Sequence, residues 1–231
     1  MSNFIKLGPC PYCGSRDNRA EYVNGYWCFG CSKLEVREDT QSLRDRLARK
    51  TIADSNLPAY LIDTITEIPQ MAMKWLLKYN ITMDEIKRYG IKWCPSKQLL
   101  VLLIRTDYWQ GRNFGYGNQK YKSSGNKPLT IYGKGDILVV VEDVLSAIKI
   151  ARLAYEGYSG FPLLGSSLSK QAESLLSKKY KKVYVWLDRD KAKQAVRIRN
   201  RLREIGIDSR AIVSPLDPKE YSKEELKEYL K

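Results

Sequence analysis

Four cysteines in two CxxC pairs lie near the start of the chain: Cys10 with Cys13, and Cys28 with Cys31. Each pair can place two thiolates on one tight turn, and two such turns can close a tetrahedral sulfur site around Zn²⁺. The fifth cysteine, Cys94, lies in a mostly apolar stretch, and we interpret it as a buried structural thiol. We therefore predict one structural zinc ion, bound by the four paired cysteines.

Carboxylates follow two apolar runs in the second half of the chain. Glu142 comes directly after 137–141, and Asp188 and Asp190 come directly after 183–187. The carboxyl ends of parallel strands share one edge of a sheet, so the three carboxylates would meet there. Clustered carboxylates repel one another unless divalent cations lie among them, and oxygen ligands suit Mg²⁺ or Mn²⁺. The alternative is that these residues only cap the helices that follow.

The overall composition excludes several chemistries and favours one class of partner. The chain contains no histidine, which excludes a Ser-His-Asp triad, a Cys-His dyad and an HExxH zinc protease. Chemistry must therefore rely on carboxylates, lysines or metal ions. The 40 Lys and Arg against 26 Asp and Glu give a net charge of +14, which favours nucleic acid first and a membrane surface second.

The sequence shows no membrane or export segment. No run approaches the ~18 apolar residues of a membrane helix, and Met1–Lys6 is too short and polar for a signal peptide. We expect a cytoplasmic protein with no membrane partner, whose reduced cysteines bind metal instead of forming disulfides. The pattern GxxxxGK[ST] is absent, so this sequence contains no P-loop helicase domain.

A basic and aromatic stretch lies between Asp107 and Asp136, and it contains no acidic residue. Positive charges beside stackable rings suit single-stranded nucleic acid and nucleotide phosphates. The candidate binding residues in and around this pattern are Arg112, Lys120, Lys122 and Lys127. The alternative interpretation is a solvated, twisted hairpin.

Apolar periodicity predicts the elements that would position these groups. A helical pattern from 57 to 88, ending at Gly90, precedes an apolar strand at 99–104. In the zinc module, 21–23 and 26–27 are predicted to form a hairpin. Strands and helices then alternate, which predicts a parallel α/β sheet. The predicted strands are 137–141, 161–164, 183–187 and 211–213, and the predicted helices are 146–155, 170–178, 191–205 and a tail from Lys223.

An apolar strand that ends in Glu, followed by one that ends in Asp-x-Asp, resembles the Toprim pattern of DNA primases, topoisomerases and some nucleases. The matching segments are 139–147 and 186–190. Cys-Pro-Tyr-Cys-Gly and Trp-Cys-Phe-Gly-Cys look like the zinc ribbon of bacterial and phage-type primases, and the resemblance covers nearly the whole chain. It departs at Asp143 and Ser146, where the family often has Gly and Asp, which leaves the number of catalytic metal ions open. Residues 217–220, Asp-Pro-Lys-Glu, resemble the acidic turn that often closes the Toprim region.

The resemblance implies a DNA primase, a DNA-directed RNA polymerase that makes short RNA primers on single-stranded DNA by metal-dependent nucleotidyl transfer. Glu142, Asp188 and Asp190 would be catalytic and hold Mg²⁺ or Mn²⁺, and the segment 120–125 matches the basic segment that primases use for triphosphates and primer–template. The implied partners are a single-stranded DNA template, NTPs and a replicative helicase in trans. The gene would belong to a phage or plasmid, and its product would act in a bacterial host. The alternatives are a Toprim-type nuclease and a non-catalytic single-strand-binding replication factor.

The expected fold is α/β, or α+β for the whole chain. We expect a small β zinc ribbon, a linker, the basic N-terminal subdomain of an RNA polymerase domain, a Toprim parallel-sheet domain and a charged helical tail. The corresponding ranges are 1–37, 38–56, 57–135, 136–214 and 215–231. In the ribbon, the side chains best suited to read template bases are Tyr22, Asn24, Tyr26, Trp27 and Lys33. Packing within the hairpin is the equally weighted alternative for them.

Overall fold

The computed structural model describes residues 4–22, 25–36, 60–116, 119–125, 127–165 and 167–231. The predicted linker at 38–56 lies outside these described residues. The chain divides into two compact units, residues 1–57 and 58–231.

The first unit is a four-stranded antiparallel sheet whose strands lie in chain order. The strands are β1 (Phe4–Gly8), β2 (Arg19–Tyr22), β3 (Gly25–Cys28) and β4 (Leu34–Val36). β2 pairs with β3, which confirms the predicted hairpin, whereas β1 and β4 have no counterpart among the predicted elements. Among the described residues of this unit, the buried apolar side chains are Cys10, Ala20 and Cys28. A core this small depends on a bound metal for its stability.

The second unit begins with two short helices and an antiparallel sheet. The helices are α1 (Gln70–Lys78) and α2 (Met83–Arg88), and the strands are β5 (Ile91–Cys94), β6 (Leu99–Arg105), β7 (Tyr108–Asn113) and β8 (Tyr121–Ser124). Each strand pairs with the next, so the basic, aromatic stretch contains the β7–β8 hairpin. α2 ends before Gly90, which takes φ +60°, as predicted.

The helix predicted from 57 to 88 is wrong before Pro69 and again at Asn80. In the described part before Pro69, residues 65–67 form a 3₁₀ turn and Ile62 forms an isolated β-bridge. Proline disfavours helix in the residue before it, so α1 starts directly after Pro69. Asn80, with φ +54°, separates α1 from α2. The helical spacing of apolar residues reflects burial in this segment, not a continuous helix.

A four-stranded parallel sheet forms the rest of the second unit, which confirms the predicted α/β architecture. Its strands are β9 (Ile137–Val141), β10 (Tyr158–Pro162), β11 (Lys182–Val185) and β12 (Asp208–Ala211), in the spatial order β10-β9-β11-β12. The helices are α3 (Val144–Ala151), α4 (Lys170–Lys179), α5 (Ala192–Glu204) and α6 (Lys223–Leu230).

The last three predicted strands are shifted along the sequence. β10, β11 and β12 each end two residues earlier than predicted. Leu163, Trp186, Leu187 and Ile212 lie beyond the strand ends, and all four are buried. Burial therefore continues past the last strand residue, and hydrophobicity alone extended the predicted strands too far.

The two faces of the parallel sheet pack against different layers. Leu138 and Val140 pack in one cluster with α4 and α5. Val139 and Val141 pack in another cluster with α3, α6 and the two short helices. Successive strand residues point to opposite faces, so a continuous apolar run such as β9 fits a sheet that is covered on both sides.

An ion pair ties α3 to α2. Arg152, which follows α3, donates from Nε to Glu85 Oε1 at 2.8 Å and from Nη2 to Glu85 Oε2 at 2.7 Å. Burial opposes ionisation of Glu85, but the hydrogen bonds from Arg152 and from the Thr82 amide hold its pKa below the usual value. Paired, hydrogen-bonded charges of this kind fix one helix against another.

Candidate metal centres and nucleic-acid interface

The four paired cysteines meet in one cluster. Cys10 Sγ lies 3.8 Å from Cys31 Sγ, and Cys13 Sγ lies 3.6 Å from Cys28 Sγ. All four sulfur atoms lie within 4.8 Å of one another. A tetrahedral site with Zn–S bonds of about 2.3 Å separates its sulfur atoms by about 3.8 Å. The cluster fits Zn²⁺, and the predicted Cys₄ zinc-binding cluster is confirmed.

The electrostatics of this cluster also favour a bound cation. Burial opposes ionisation of Cys10, but amide hydrogen bonds from Cys13 and Tyr12 lower its pKa to about 6. An amide hydrogen bond from Ser15 favours the thiolate of Cys13, but burial and the thiols of Cys28 and Cys10 raise its pKa to about 12. One thiolate therefore forms at the expense of its neighbours, and four thiolates coexist only around a shared metal ion. Outside this unit, Cys94 is fully buried in β5, as predicted.

The topology of the parallel sheet creates a crevice at the ends of β9 and β11. These strands lie side by side, with Val140 opposite Val185. The chain leaves β9 towards β10 on one side and leaves β11 towards β12 on the other. In open α/β sheets, ligands bind where neighbouring connections diverge in this way. Glu142 follows β9 and Asp188 follows β11, so both lie at this crevice.

Two carboxylate oxygens at this edge, Glu142 Oε2 and Asp188 Oδ1, are buried and receive no hydrogen bond from the described residues. Burial raises the pKa of Glu142, and the charges of Asp143 and Asp190 raise it further. Burial also raises the pKa of Asp188 to about 7, although Lys219 opposes this shift. Buried oxygens without a donor are costly, and a bound cation would remove that cost.

Asp190 occupies a different environment from the other two predicted carboxylates. Its side chain is 73% exposed and lies 3.1 Å from Lys191 Nζ. Its charge nevertheless raises the pKa of Glu142, so the two groups interact across the edge.

Lys219 is the residue at this edge that the sequence did not identify. Its side chain is buried, and Nζ lies 2.8 Å from Asp143 Oδ2, 3.0 Å from Asp188 Oδ2 and 3.0 Å from Asp217 Oδ2. Burial opposes its charge, but Asp143 and Asp188 outweigh that effect and raise its pKa. Lys219 and Asp217 belong to the Asp-Pro-Lys-Glu turn noted in the sequence, which was the available signal.

The basic hairpin lies next to this edge. A small cleft is lined by Trp75, Gln110 and Tyr121 on one side and by Asp143 and Lys219 on the other. The guanidinium of Arg112 lies 5.0 Å from the Tyr121 ring and 5.8 Å from the Trp75 ring. Tyr121 of the hairpin and Asp143 and Lys219 of the carboxylate edge therefore line one cleft, with Arg112 beside the Tyr121 ring.

The three predicted lysines of the basic stretch occupy different positions. Lys120 is exposed immediately before β8, and Lys122 is half-buried within β8. Lys127 is exposed, and a Cβ built at Gly165 would lie 2.5 Å from its Nζ. Desolvation by the surrounding protein lowers the pKa of Lys127. Since Gly165 follows β10, Lys127 lies at the same end of the sheet as Glu142.

In the first unit, the predicted base-reading residues are partly engaged with their neighbours. Tyr22 and Trp27 are half-buried, and the Arg19 guanidinium lies 3.8 Å from the centre of the Tyr26 ring. Lys33 is exposed, and Asn24 lies outside the described residues. Two aromatic residues that were not among the predicted base-reading residues lie beside the cysteines with exposed rings: Tyr12 is 54% exposed and Phe29 is 61% exposed. Their CxxC positions were the signal that could have identified them.

Comparisons with known proteins identify similar folds. No protein-family model and no curated protein sequence matches this chain. The zinc-binding and RNA polymerase domains of Aquifex aeolicus primase match 99% of this chain and 80% of that chain, with a TM-score of 0.58 and 16% identity. A DnaG primase catalytic domain bound to single-stranded DNA matches 81% of this chain and 78% of that one, with a TM-score of 0.58 and 16% identity. The RNA polymerase domain of Mycobacterium tuberculosis DnaG matches 80% and 82%, with a TM-score of 0.57 and 13% identity.

Among the described residues, no helix is both long and apolar enough to cross a membrane.

The similarities to solved primase structures confirm the predicted resemblance at the level of the fold. The chain has the fold of the zinc-binding and RNA polymerase domains of DnaG-type primases, together with a Cys₄ zinc-binding cluster.

Proposed function

We propose that this chain is a DNA primase, which makes short RNA primers on single-stranded DNA by metal-dependent nucleotidyl transfer. The observation that carries the proposal is the pair of buried, unpartnered oxygens at the crevice, Glu142 Oε2 and Asp188 Oδ1. Lys219, which contacts Asp188, also lines a cleft with the rings of Trp75 and Tyr121, and Arg112 of the basic hairpin lies beside the Tyr121 ring. The fold similarity to a primase domain bound to single-stranded DNA supports the same template for this chain.

The residues at the crevice fit a hard divalent cation. Glu142 and Asp188 each offer a free carboxylate oxygen, and Asp190 can add a third from its exposed position. Mg²⁺ or Mn²⁺ bound there would lower the pKa of the attacking 3′-hydroxyl and neutralise charge on the leaving pyrophosphate. The oxygens of the three residues would hold that ion, and the burial of the Glu142 and Asp188 oxygens would limit competition from water.

The basic residues would bind the phosphates of the NTPs and of the primer–template. Arg112 lies beside the rings of the cleft, while Lys120 and Lys122 lie at the start of β8. Lys127 lies near the carboxyl end of β10. Rings next to cations suit stacked bases with adjacent phosphates. In the zinc ribbon, Tyr22, Asn24, Tyr26, Trp27 and Lys33 remain our proposed template readers.

We also propose the cytoplasm of a bacterial host as the compartment, because a zinc site of free thiolates requires reducing conditions. We propose a replicative helicase in trans as a partner.

The test is incubation of the zinc-loaded full chain with single-stranded DNA, labelled NTPs and Mg²⁺, followed by sizing of the products. We expect short RNA products that disappear in Glu142→Gln and in Asp188→Asn and persist in Glu204→Gln, an exposed carboxylate on α5. A native chain without RNA product, or with equal product in all three variants, would refute the proposal. Shortening of labelled DNA without NTPs would identify a nuclease, and DNA binding without either reaction would identify a non-catalytic factor.

A further inference from the structure

The carboxylate edge contains a buried cation, Lys219, in addition to the more exposed Lys191 beside Asp190. Lys219 is 9% exposed, and its Nζ lies within 3.0 Å of an oxygen from each of Asp143, Asp188 and Asp217. These aspartates come from three separate segments: the start of α3, the loop after β11 and the turn before α6. A single ammonium group therefore holds together the segments that form one side of the crevice.

The hydrogen bonds at the edge divide its oxygens into two sets. Asp143 Oδ1 accepts from the Ser146 amide at 2.9 Å, and Asp217 Oδ1 accepts from the Arg189 amide at 3.1 Å. Lys219 Nζ donates to Asp143 Oδ2 and forms an ion pair with Asp217 Oδ2 at 3.0 Å, so both oxygens of these two carboxylates have a partner. Asp188 differs, because its Oδ2 faces Lys219 while its Oδ1 is buried without a partner.

The ammonium group of Lys219 and a divalent ion would thus each contact one oxygen of Asp188. Towards β9, Asp188 Oδ1 and Glu142 Oε2 are both buried without a hydrogen bond from the described residues, which leaves each of them available to a divalent ion. Towards the C-terminal turn, Lys219 already occupies the space between three carboxylates. Three carboxylate oxygens around a single point are the ligand set that a divalent ion uses. A fixed ammonium group at that point satisfies the same oxygens with one positive charge.

We propose that Lys219 replaces a divalent cation, so that the carboxylate edge binds one divalent ion instead of two. This inference rests on the proposed function only for the ion at Glu142 and Asp188, since the position of Lys219 is independent of the reaction. Lys219 acts as a positioning residue: it holds Asp188 by Oδ2 and leaves Oδ1 for the metal. The number of metal ions that the sequence left open becomes one.

Counting bound Mn²⁺ tests this without measuring activity. The zinc-loaded full chain is dialysed against Mn²⁺, and free Mn²⁺ is measured by its electron paramagnetic resonance signal. We expect one Mn²⁺ per native chain, lost in Glu142→Gln, and two per chain in Lys219→Met. Adding Asp217→Asn to Lys219→Met should return the count to one, because Asp217 is a ligand of the new site alone.

The outcomes separate this inference from the proposed function. Two Mn²⁺ in the native chain, or equal counts in the native chain and Lys219→Met, would overturn it. None in the native chain and one in Lys219→Met would overturn the count of one and remove the metal on which the proposed synthesis depends, although it would show that Lys219 excludes an ion. Lys219→Ser serves as a second variant if Lys219→Met does not fold, since its short hydroxyl leaves room for a hydrated ion.

Discussion

A fully buried lysine in α3 leads to a prediction about stability. Lys149 is 0% exposed, and its Nζ donates one hydrogen bond, to the Tyr79 carbonyl at 3.2 Å. Burial, together with the smaller effect of the Arg152 charge, lowers its pKa from 10.5 to about 8, with Glu85 and Glu225 partly opposing the shift. The fold therefore includes a cation whose solvation by water has been replaced by a single carbonyl oxygen.

We predict that Lys149→Met stabilises the chain at pH 7. The lowered pKa corresponds to about 3 kcal/mol against the charged form, at ~1.4 kcal/mol per pKa unit. Methionine retains most of the apolar contacts of the stem but leaves the Tyr79 carbonyl without this donor, which costs about 1 kcal/mol. The expected gain in the free energy of unfolding is about 2 kcal/mol.

The gain should depend on pH with a definite sign. Below the folded pKa of about 8, Lys149 of the unsubstituted chain is charged in both the folded and the unfolded state, so the full cost of burying the charge is present. Between that value and the unfolded pKa of ~10.4, the folded state releases its proton first, so the stability of the native chain rises with pH. The advantage of Lys149→Met should therefore shrink from pH 7 to pH 10.

Urea unfolding of the zinc-loaded chain at pH 7 and pH 10, followed by tryptophan fluorescence, measures both effects. Lys178→Met, at an exposed position of α4, is the matched control and should change stability by less than about 0.5 kcal/mol at either pH. A loss of stability in Lys149→Met at pH 7, or a gain that does not change with pH, would refute the reasoning.

Three further predictions follow from the zinc cluster, the α2–α3 ion pair and the basic hairpin. Cys28→Ser should lose the zinc ion and Cys94→Ser should keep it, as measured by elemental analysis; equal zinc content would contradict the assignment. Glu85→Gln should lower the free energy of unfolding by about 2 kcal/mol at pH 7. Because the pKa of Glu85 is lowered, this loss should diminish as pH falls below ~4.3, and urea unfolding at pH 7 and pH 4 checks it. Lys120→Ala and Lys122→Ala should each reduce the log–log salt slope of single-stranded DNA binding by about one, whereas unchanged slopes would place both lysines in a solvated hairpin.

Local patterns in the sequence were sufficient for several features. The CxxC spacing identified the zinc cluster because two residues between cysteines place both sulfur atoms on one turn. The apolar run of β9 and its alternation with helices predicted a parallel sheet, and strand-end carboxylates in such a sheet lie at one edge by geometry alone. The prediction of one helix over 57–88 was wrong because apolar spacing indicates which residues are buried, whereas Pro69 and Asn80 prevent a continuous helix.

Only the tertiary structure decided which groups meet at that edge. The strand order places β9 beside β11, although β10 lies between them in the chain. Lys219 lies 76 residues from Asp143 and 31 residues from Asp188 along the chain, yet one nitrogen atom bonds to both. Local patterns specify periodicity and turns, whereas contacts between distant segments depend on how the layers pack. From the sequence, Lys219 therefore had no role beyond its place in the Asp-Pro-Lys-Glu turn, and the fold placed its ammonium group among three carboxylates.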